Sequence, residues 1–142
     1  MKKRFTVAII HRNGIDRLKS AIDSVINALS PLDEIIIVDN ASTDNSISSI
    51  LKIHKDLVII HNNCNTGYGY AANQAMNKGS GEYFIICNND ITISKDALNQ
   101  FEDIFINDSK IGMVSGQQTN LNGNNVRTSS KAPSLFSEFD GI

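Results

Sequence analysis

The chain alternates between two hydrophobic patterns. Four short, nearly unbroken apolar runs occur at residues 5–10, 35–38, 57–60 and 83–87. Between them, apolar residues recur at steps of three and four. A strand covered on both faces shows no polar alternation, whereas an amphipathic helix repeats at that longer step. The runs therefore predict strands. Ile15, Leu18, Ile22, Val25, Ile26 and Leu29 predict a first helix, which Ser30-Pro31 ends because proline restricts the residue before it. Ile47, Ile50 and Leu51 predict a short second helix. Tyr68, Ala71, Ala72, Ala75 and Met76 predict a third, with small residues suited to close packing and Lys78-Gly79 as a charged end and glycine stop. Ser94 is the expected N-cap of a fourth, which buries Ala97, Leu98, Phe101, Ile104 and Phe105. Residues 111–115 predict a short fifth strand, Asn122-Gly123 a hairpin turn, and the tail to Ile142 shows no clear period.

Strand and helix in strict alternation predict an α/β fold, a Rossmann-like, mostly parallel sheet with helices on both faces. Right-handed crossovers then bring the C-terminal ends of all strands to one edge, where open α/β sheets bind ligands. Three polar loops converge there: residues 11–14, 39–44 and 88–90. The loop and helix start at residues 65–73 lie beside them.

Composition narrows the field. A length of 142 residues indicates one domain. The net charge of −2 supplies no basic face, so neither nucleic acid nor an anionic membrane is an expected partner. Cys64 and Cys87 form no CxxC pair, and Cys87 ends an apolar run, so a buried thiol is expected in place of a disulfide. The apolar run after Lys2-Lys3-Arg4 is too short for a signal-peptide core, and no stretch reaches transmembrane length. The expectation is a cytoplasmic protein, at most peripheral at the inner face of a membrane.

Gly67-Tyr68-Gly69-Tyr70-Ala71-Ala72 matches G-x-G-x-x-A at a helix start. A dinucleotide fingerprint belongs in the first strand-to-helix turn, where this chain has His11-Arg12-Asn13-Gly14, so relief of crowding at a helix start is preferred. A receiver domain needs an acidic residue after the third strand, where His61-Asn62 stands. His11, His54 and His61 lack metal-ligand spacing, and His54 and His61 are expected at the surface. Residues 39–44 have a bland reading as a turn. Asn88-Asn89-Asp90 alone would also read as a turn. It gains weight because Asp39 reaches the same edge, and one carboxylate with phosphate oxygens can hold a hard cation.

Taken in order, these stretches resemble the family-2 inverting glycosyltransferases of the GT-A nucleotide-sugar fold, with a rhamnosyltransferase-like flavour. The resemblance rests on His11-Arg12-Asn13-Gly14, on Val38-Asp39-Asn40-Ala41-Ser42-Thr43-Asp44, on Asn65, Gly67, Ala71 and Asn73, and on Asn88-Asn89-Asp90. It covers residues 5–116. It implies residues 1–116 as a donor-binding subdomain and 117–142 as the incomplete start of an acceptor-side region, hence a chain that looks truncated. It implies that Asp39 accepts from the imide N–H of uracil or thymine. His11, Arg12 and Asn13 would meet the base or ribose. Asn40, Ser42 and Asp44 would shape the same pocket. Asn65, Gly67 and Asn73 would frame the base and diphosphate, with Asn88 and Asn89 beside them, and Asp90 would hold Mg2+ or Mn2+. The implied partners are a UDP- or dTDP-sugar donor and a saccharide or lipid-linked acceptor, in surface polysaccharide assembly. A homodimer through the exposed edge of a half-domain stays open. His11-Arg12 departs from the family's small-residue-plus-Tyr pair, and no segment after Gly116 matches the part that carries the general base. A non-catalytic nucleotide-sugar-binding module is therefore the alternative. A nucleotidyltransferase is a third reading, weakened by the lack of a Gly-rich basic first loop.

Overall fold

The computed structural model describes residues 4–31, 33–120 and 122–126. Residues 1–99 and 100–142 form two compact units. The first contains β1 (Phe5–His11), α1 (Ile15–Ala28), β2 (Glu34–Asp39), α2 (Ser46–Ile53), β3 (Val58–His61), α3 (Tyr68–Lys78) and β4 (Tyr83–Asn88). The strands form a sheet of order β3-β2-β1-β4, and all pairings are parallel. β1 lies inside this sheet and is buried along its whole length.

Side chains alternate across the sheet. Val7, Ile9, Ile37 and Cys87 pack with Leu18, Ile22 and Val25 of α1 and with Ile47 and Ile50 of α2. Ala8, Ile10, Ile36 and Val38 pack with Ala71 and Ala75 of α3 on the other face. Each such Leu or Ile, fully buried, contributes on the order of 2 kcal/mol. The expected α/β class, with helices on both faces, is what the chain adopts.

Several local expectations change. Ile26, Tyr68 and Met76 are exposed. The alanine stripe of α3 is enough to seat that helix, and its longer neighbours fall outside the contact. Gly79 ends α3 with an extended backbone (φ −72°) rather than a left-handed one. Its role is close approach: a Cβ there would lie 2.6 Å from Thr6 Cγ2, and one on Gly81 would lie 2.5 Å from the Thr6 nitrogen. β1 also runs one residue further than expected, because His11 pairs in register with Asp39.

α4 (Lys95–Asn107) starts in the first unit, where Ser94 Oγ accepts from the Ala97 N–H at 3.2 Å, as a cap should. Leu98 is buried, whereas Ile104 is exposed. In the second unit, Gly116 sits against Phe101, where a Cβ would approach to 2.9 Å. Residues 111–115, expected as a strand, are irregular. A strand needs a ladder partner for its backbone groups, and none of the described residues supplies one. The predicted hairpin turn does form, joining β5 (Gln118–Thr119) to β6 (Asn125–Val126), with Gly123 at φ +78°. No helix among the described residues is long and apolar enough to cross a membrane.

Candidate functional site

Strand register lays out the site. His11 pairs with Asp39, Asp39 with His61, and Ile10 with Asn88. Neighbours in a parallel register face the same way, so His11, Asp39 and His61 lie on the α1/α2 side. Asn89, two residues past Cys87, returns to that side. Asn88 and Asn40 fall on the α3 side. The strand order also reverses about β1, which makes the β1/β4 end the switch point where α/β sheets bind ligands.

His11 is fully buried. Its Nε2 lies 2.7 Å from Ser46 Oγ, and its Nδ1 lies 2.8 Å from Asn89 Nδ2. The sequence placed His11 in an open loop; instead both of its ring nitrogens are held by the protein. Burial lowers its pKa from 6.5, against the pull of Asp39 and Asp44. The Ser46 hydroxyl donates to Asp44 Oδ1, and the Gly14 N–H donates to Asp44 Oδ2 at 2.7 Å. These two bonds hold the exposed Asp44 carboxyl down at about 2. Asn13, at φ +58°, closes the brace: its N–H donates to Ser42 Oγ at 3.0 Å and its Oδ1 accepts from the Thr43 N–H at 2.8 Å. The loops after β1 and β2 are thus one interlocked unit.

Asp39 is buried, with Oδ1 accepting from the Ser42 N–H at 3.0 Å. Its Oδ2 lies 3.4 Å from Nδ1 of the exposed His61. Asn40 is the hub of the next loop. Its Oδ1 accepts from the Thr66 N–H at 2.9 Å and from Thr66 Oγ1 at 3.0 Å, and its Nδ2 donates to Asn65 Oδ1 at 2.8 Å and to the Gly67 carbonyl at 3.4 Å. Asn62 and Gln74 exchange two amide bonds of 2.8 Å behind it. Gly67 has φ +82°, which explains its glycine. A Cβ on either Gly67 or Gly69 would meet nothing within 4 Å, so crowding does not account for these glycines.

A cleft of about 240 Å³ opens at the switch point. Ile10, His11 and Arg12 line it from the end of β1 and the loop after it, and Asn88 and Asn89 from the end of β4 and its loop; Asn40, Asn65 and Tyr68 close the α3 side. Six of the residues singled out in the sequence therefore meet in one cavity. Asn13, Asp39, Ser42, Asp44 and Asp90 are not among its lining; the first four take hydrogen bonds within the loops after β1 and β2. Gly67 contributes a carbonyl to Asn40, and Asn73 is exposed and outside the lining. Tyr68 and Ser46 were missed as site residues. Tyr68 lay inside the G-x-G-x-x-A match, and Ser46 sat two residues past Asp44 in what read as a helix start. Cys87 is buried as expected, and burial pushes its thiol up to about 12; Cys64 is exposed.

Asn88 and Asp90 are exposed. Among the described residues there is no cluster of three or more His, Cys, Asp or Glu that could hold a metal. Asp90 thus offers a single free carboxylate. That fits a hard cation which takes most of its ligands from water and a bound phosphate group, and it does not fit a cage made by the protein alone.

The family described as Glycosyl transferase family 2 matches residues 6–139. The poly-beta-1,6-N-acetyl-D-glucosamine synthase of Staphylococcus aureus (strain MSSA476) is 28% identical over 106 residues, which cover 73% of this chain and 26% of that protein. The Staphylococcus epidermidis synthase is also 28% identical over 106 residues, with the same two coverages. The chain thus spans about a quarter of the length of the curated relatives it matches. The crystal structure of S. aureus TarS 1-349 in complex with UDP-GlcNAc superposes with a TM-score of 0.65 at 22% identity, covering 73% of this chain and 31% of that one. The mannosyltransferase PcManGT from Pyrobaculum calidifontis, in complex with GDP-Man and Mn2+, gives 0.60 at 25% identity, covering 69% and 31%.

Proposed function

This chain belongs to glycosyl transferase family 2, and from that membership we propose that it binds a UDP- or dTDP-sugar and forms the donor half of an inverting glycosyltransferase. The acceptor is a hydroxyl of a saccharide or lipid-linked saccharide in surface polysaccharide assembly, on the cytoplasmic side of a membrane. One observation carries the reading: the switch-point cleft is lined by Arg12, Asn88 and Asn89, and Asp39 and Asp90 are the chain neighbours of the lining residues Asn40 and Asn89.

Each residue has a task that matches its chemistry. Asp39 is acceptor-only when ionised, and each oxygen keeps a lone pair beyond its present partner. It suits the imide N–H of a uracil or thymine ring. Arg12 brings a cation to the diphosphate. Tyr68 supplies an aromatic wall. Asn40 and Asn65 shape the α3 side, with Gly67 supporting Asn40, while Asn13, Ser42 and Asp44 hold the loops in place; Asn73, outside the lining, keeps no task at the cleft. Asp90 is the residue that would hold Mg2+ or Mn2+. When bound, that cation neutralises charge developing on the leaving diphosphate.

Calorimetric titration of UDP, dTDP and GDP, with and without Mn2+, tests this. UDP or dTDP should bind, more tightly with Mn2+, and more tightly than GDP. Failure of both pyrimidine nucleotides in either condition overturns the donor site. Preference for GDP overturns the task given to Asp39, as does normal UDP binding by Asp39→Ala. Binding without any sugar transfer points instead to a nucleotide-sugar-binding module.

A further inference from the structure

We propose that His11 is a positioning residue, locked as the neutral Nε2–H tautomer, and that it orients Asn89 so that this side chain offers the cleft only its amide oxygen. The orientation is inferred from hydrogen-bond directions alone; its meaning for the ligand rests on the donor-site reading above.

The directions follow from one atom. Asn89 Nδ2 lies 2.8 Å from His11 Nδ1 and 3.0 Å from the Asn13 carbonyl oxygen. A carbonyl oxygen only accepts, so the Asn89 atom facing it must be the amide nitrogen. Its two hydrogens are then both used, one on Asn13 and one on His11. His11 Nδ1 must receive that hydrogen with a bare lone pair, which leaves the ring proton on Nε2. From there the chain continues: Nε2–H donates to Ser46 Oγ at 2.7 Å, the Ser46 proton goes to Asp44 Oδ1, and Asp44 Oδ2 takes the Gly14 N–H at 2.7 Å. Asp44 anchors the relay because an ionised carboxylate accepts and cannot donate.

No member can reverse alone. A flipped Asn89 would set its oxygen against the Asn13 carbonyl and would demand a proton on Nδ1. Nε2 would then need the Ser46 proton, and Asp44 would lose it. Water cannot compensate, since His11 and Ser46 are buried. An unmet polar group in such a place costs about 1–3 kcal/mol. The loops after β1, β2 and β4 are therefore set by one directional chain. Asn89 also lines the cleft. The atom it has left is an acceptor, which can take a hydrogen from a hydroxyl or a bound water and cannot donate to a phosphate oxygen.

The tautomer is read by long-range 1H–15N correlation on the 15N-labelled chain at neutral pH, with no ligand added. The expected pattern for His11 is a protonated Nε2 and an unprotonated Nδ1. An Nδ1–H or doubly protonated pattern overturns the relay. Asn89→Asp gives a second reading, because its carboxylate, when ionised, can only accept and so draws a proton onto Nδ1; His11 should then become doubly protonated. An unchanged His11 pattern beside an ionised carboxylate, its ionisation read from the 13C shift of that carboxyl, also overturns the relay. If Asn89→Asp fails to fold, the wild-type spectrum remains decisive. Titrating UDP into the same sample keeps the two claims apart: absent binding with the expected tautomer defeats the donor reading and leaves the relay, and the converse result does the reverse.

Discussion

The loops after β2 and β4 reach the same edge of the same sheet, yet they are built differently. After β2, the side chains of Asp39, Asn40, Ser42, Thr43 and Asp44 all take protein partners. After β4, Asn89 is held by His11 and Asn13, whereas Asn88 and Asp90 stand exposed. The first loop uses its polar groups on itself and its neighbours, so its shape exists before any ligand arrives. The second keeps a carboxylate in water, where it can exchange hydration for a cation. A preformed polar loop and an exposed carboxylate are thereby separated along one edge.

Mutations should feel this difference. Asn40→Ala should have the largest effect, because it strips partners from the Thr66 N–H, the Thr66 hydroxyl and the Asn65 amide oxygen at once. A loss of about 3 kcal/mol is expected, read as a lower urea midpoint. A loss near zero would mean that the β2 loop is not held by its own hydrogen bonds.

Asp44→Asn should act next, through pH. The Asp44 carboxyl is lowered from 3.8 to about 2 in the fold. Its stabilisation is present above the unfolded value and is lost as pH falls through the folded one. The wild type should therefore melt above Asp44→Asn at neutral pH, and the two thermal midpoints should converge as pH drops from about 4 toward about 2. Parallel curves would break the assignment.

Asp90→Ala should have the smallest effect on stability, within about 0.5 kcal/mol, as expected for an exposed side chain. Its signature is functional: Mn2+ should no longer strengthen UDP binding. Marked destabilisation would erase the contrast between the two loops. Retained Mn2+ dependence would remove Asp90 from the metal.

Much of the architecture was legible in the chain because period is a local property. Unbroken runs such as Ile35–Val38 and the stepped positions of α1 announce strand and helix whatever their neighbours. Asn122-Gly123 carries its own turn chemistry. Residues 111–115 show the limit, since a strand exists only where another strand takes its hydrogen bonds. The alternation of strand and helix placed Asp39, Asn65 and Asp90 at a common edge, but did not show which groups there were free.

Residues 39–44 and 88–90 could be assigned to one sheet edge from sequence alone, because alternating strand and helix permit few topologies. Whether each polar side chain in them faces solvent or a partner was decided by register. Pairing His11 with Asp39 and Ile10 with Asn88 buries an imidazole that the sequence would place in an open loop, and brings Ser46 and Asn89 to its two nitrogens. Those contacts join residues 35 and 78 positions apart. Their directions follow from which atoms can donate, and only the folded chain brings those atoms together.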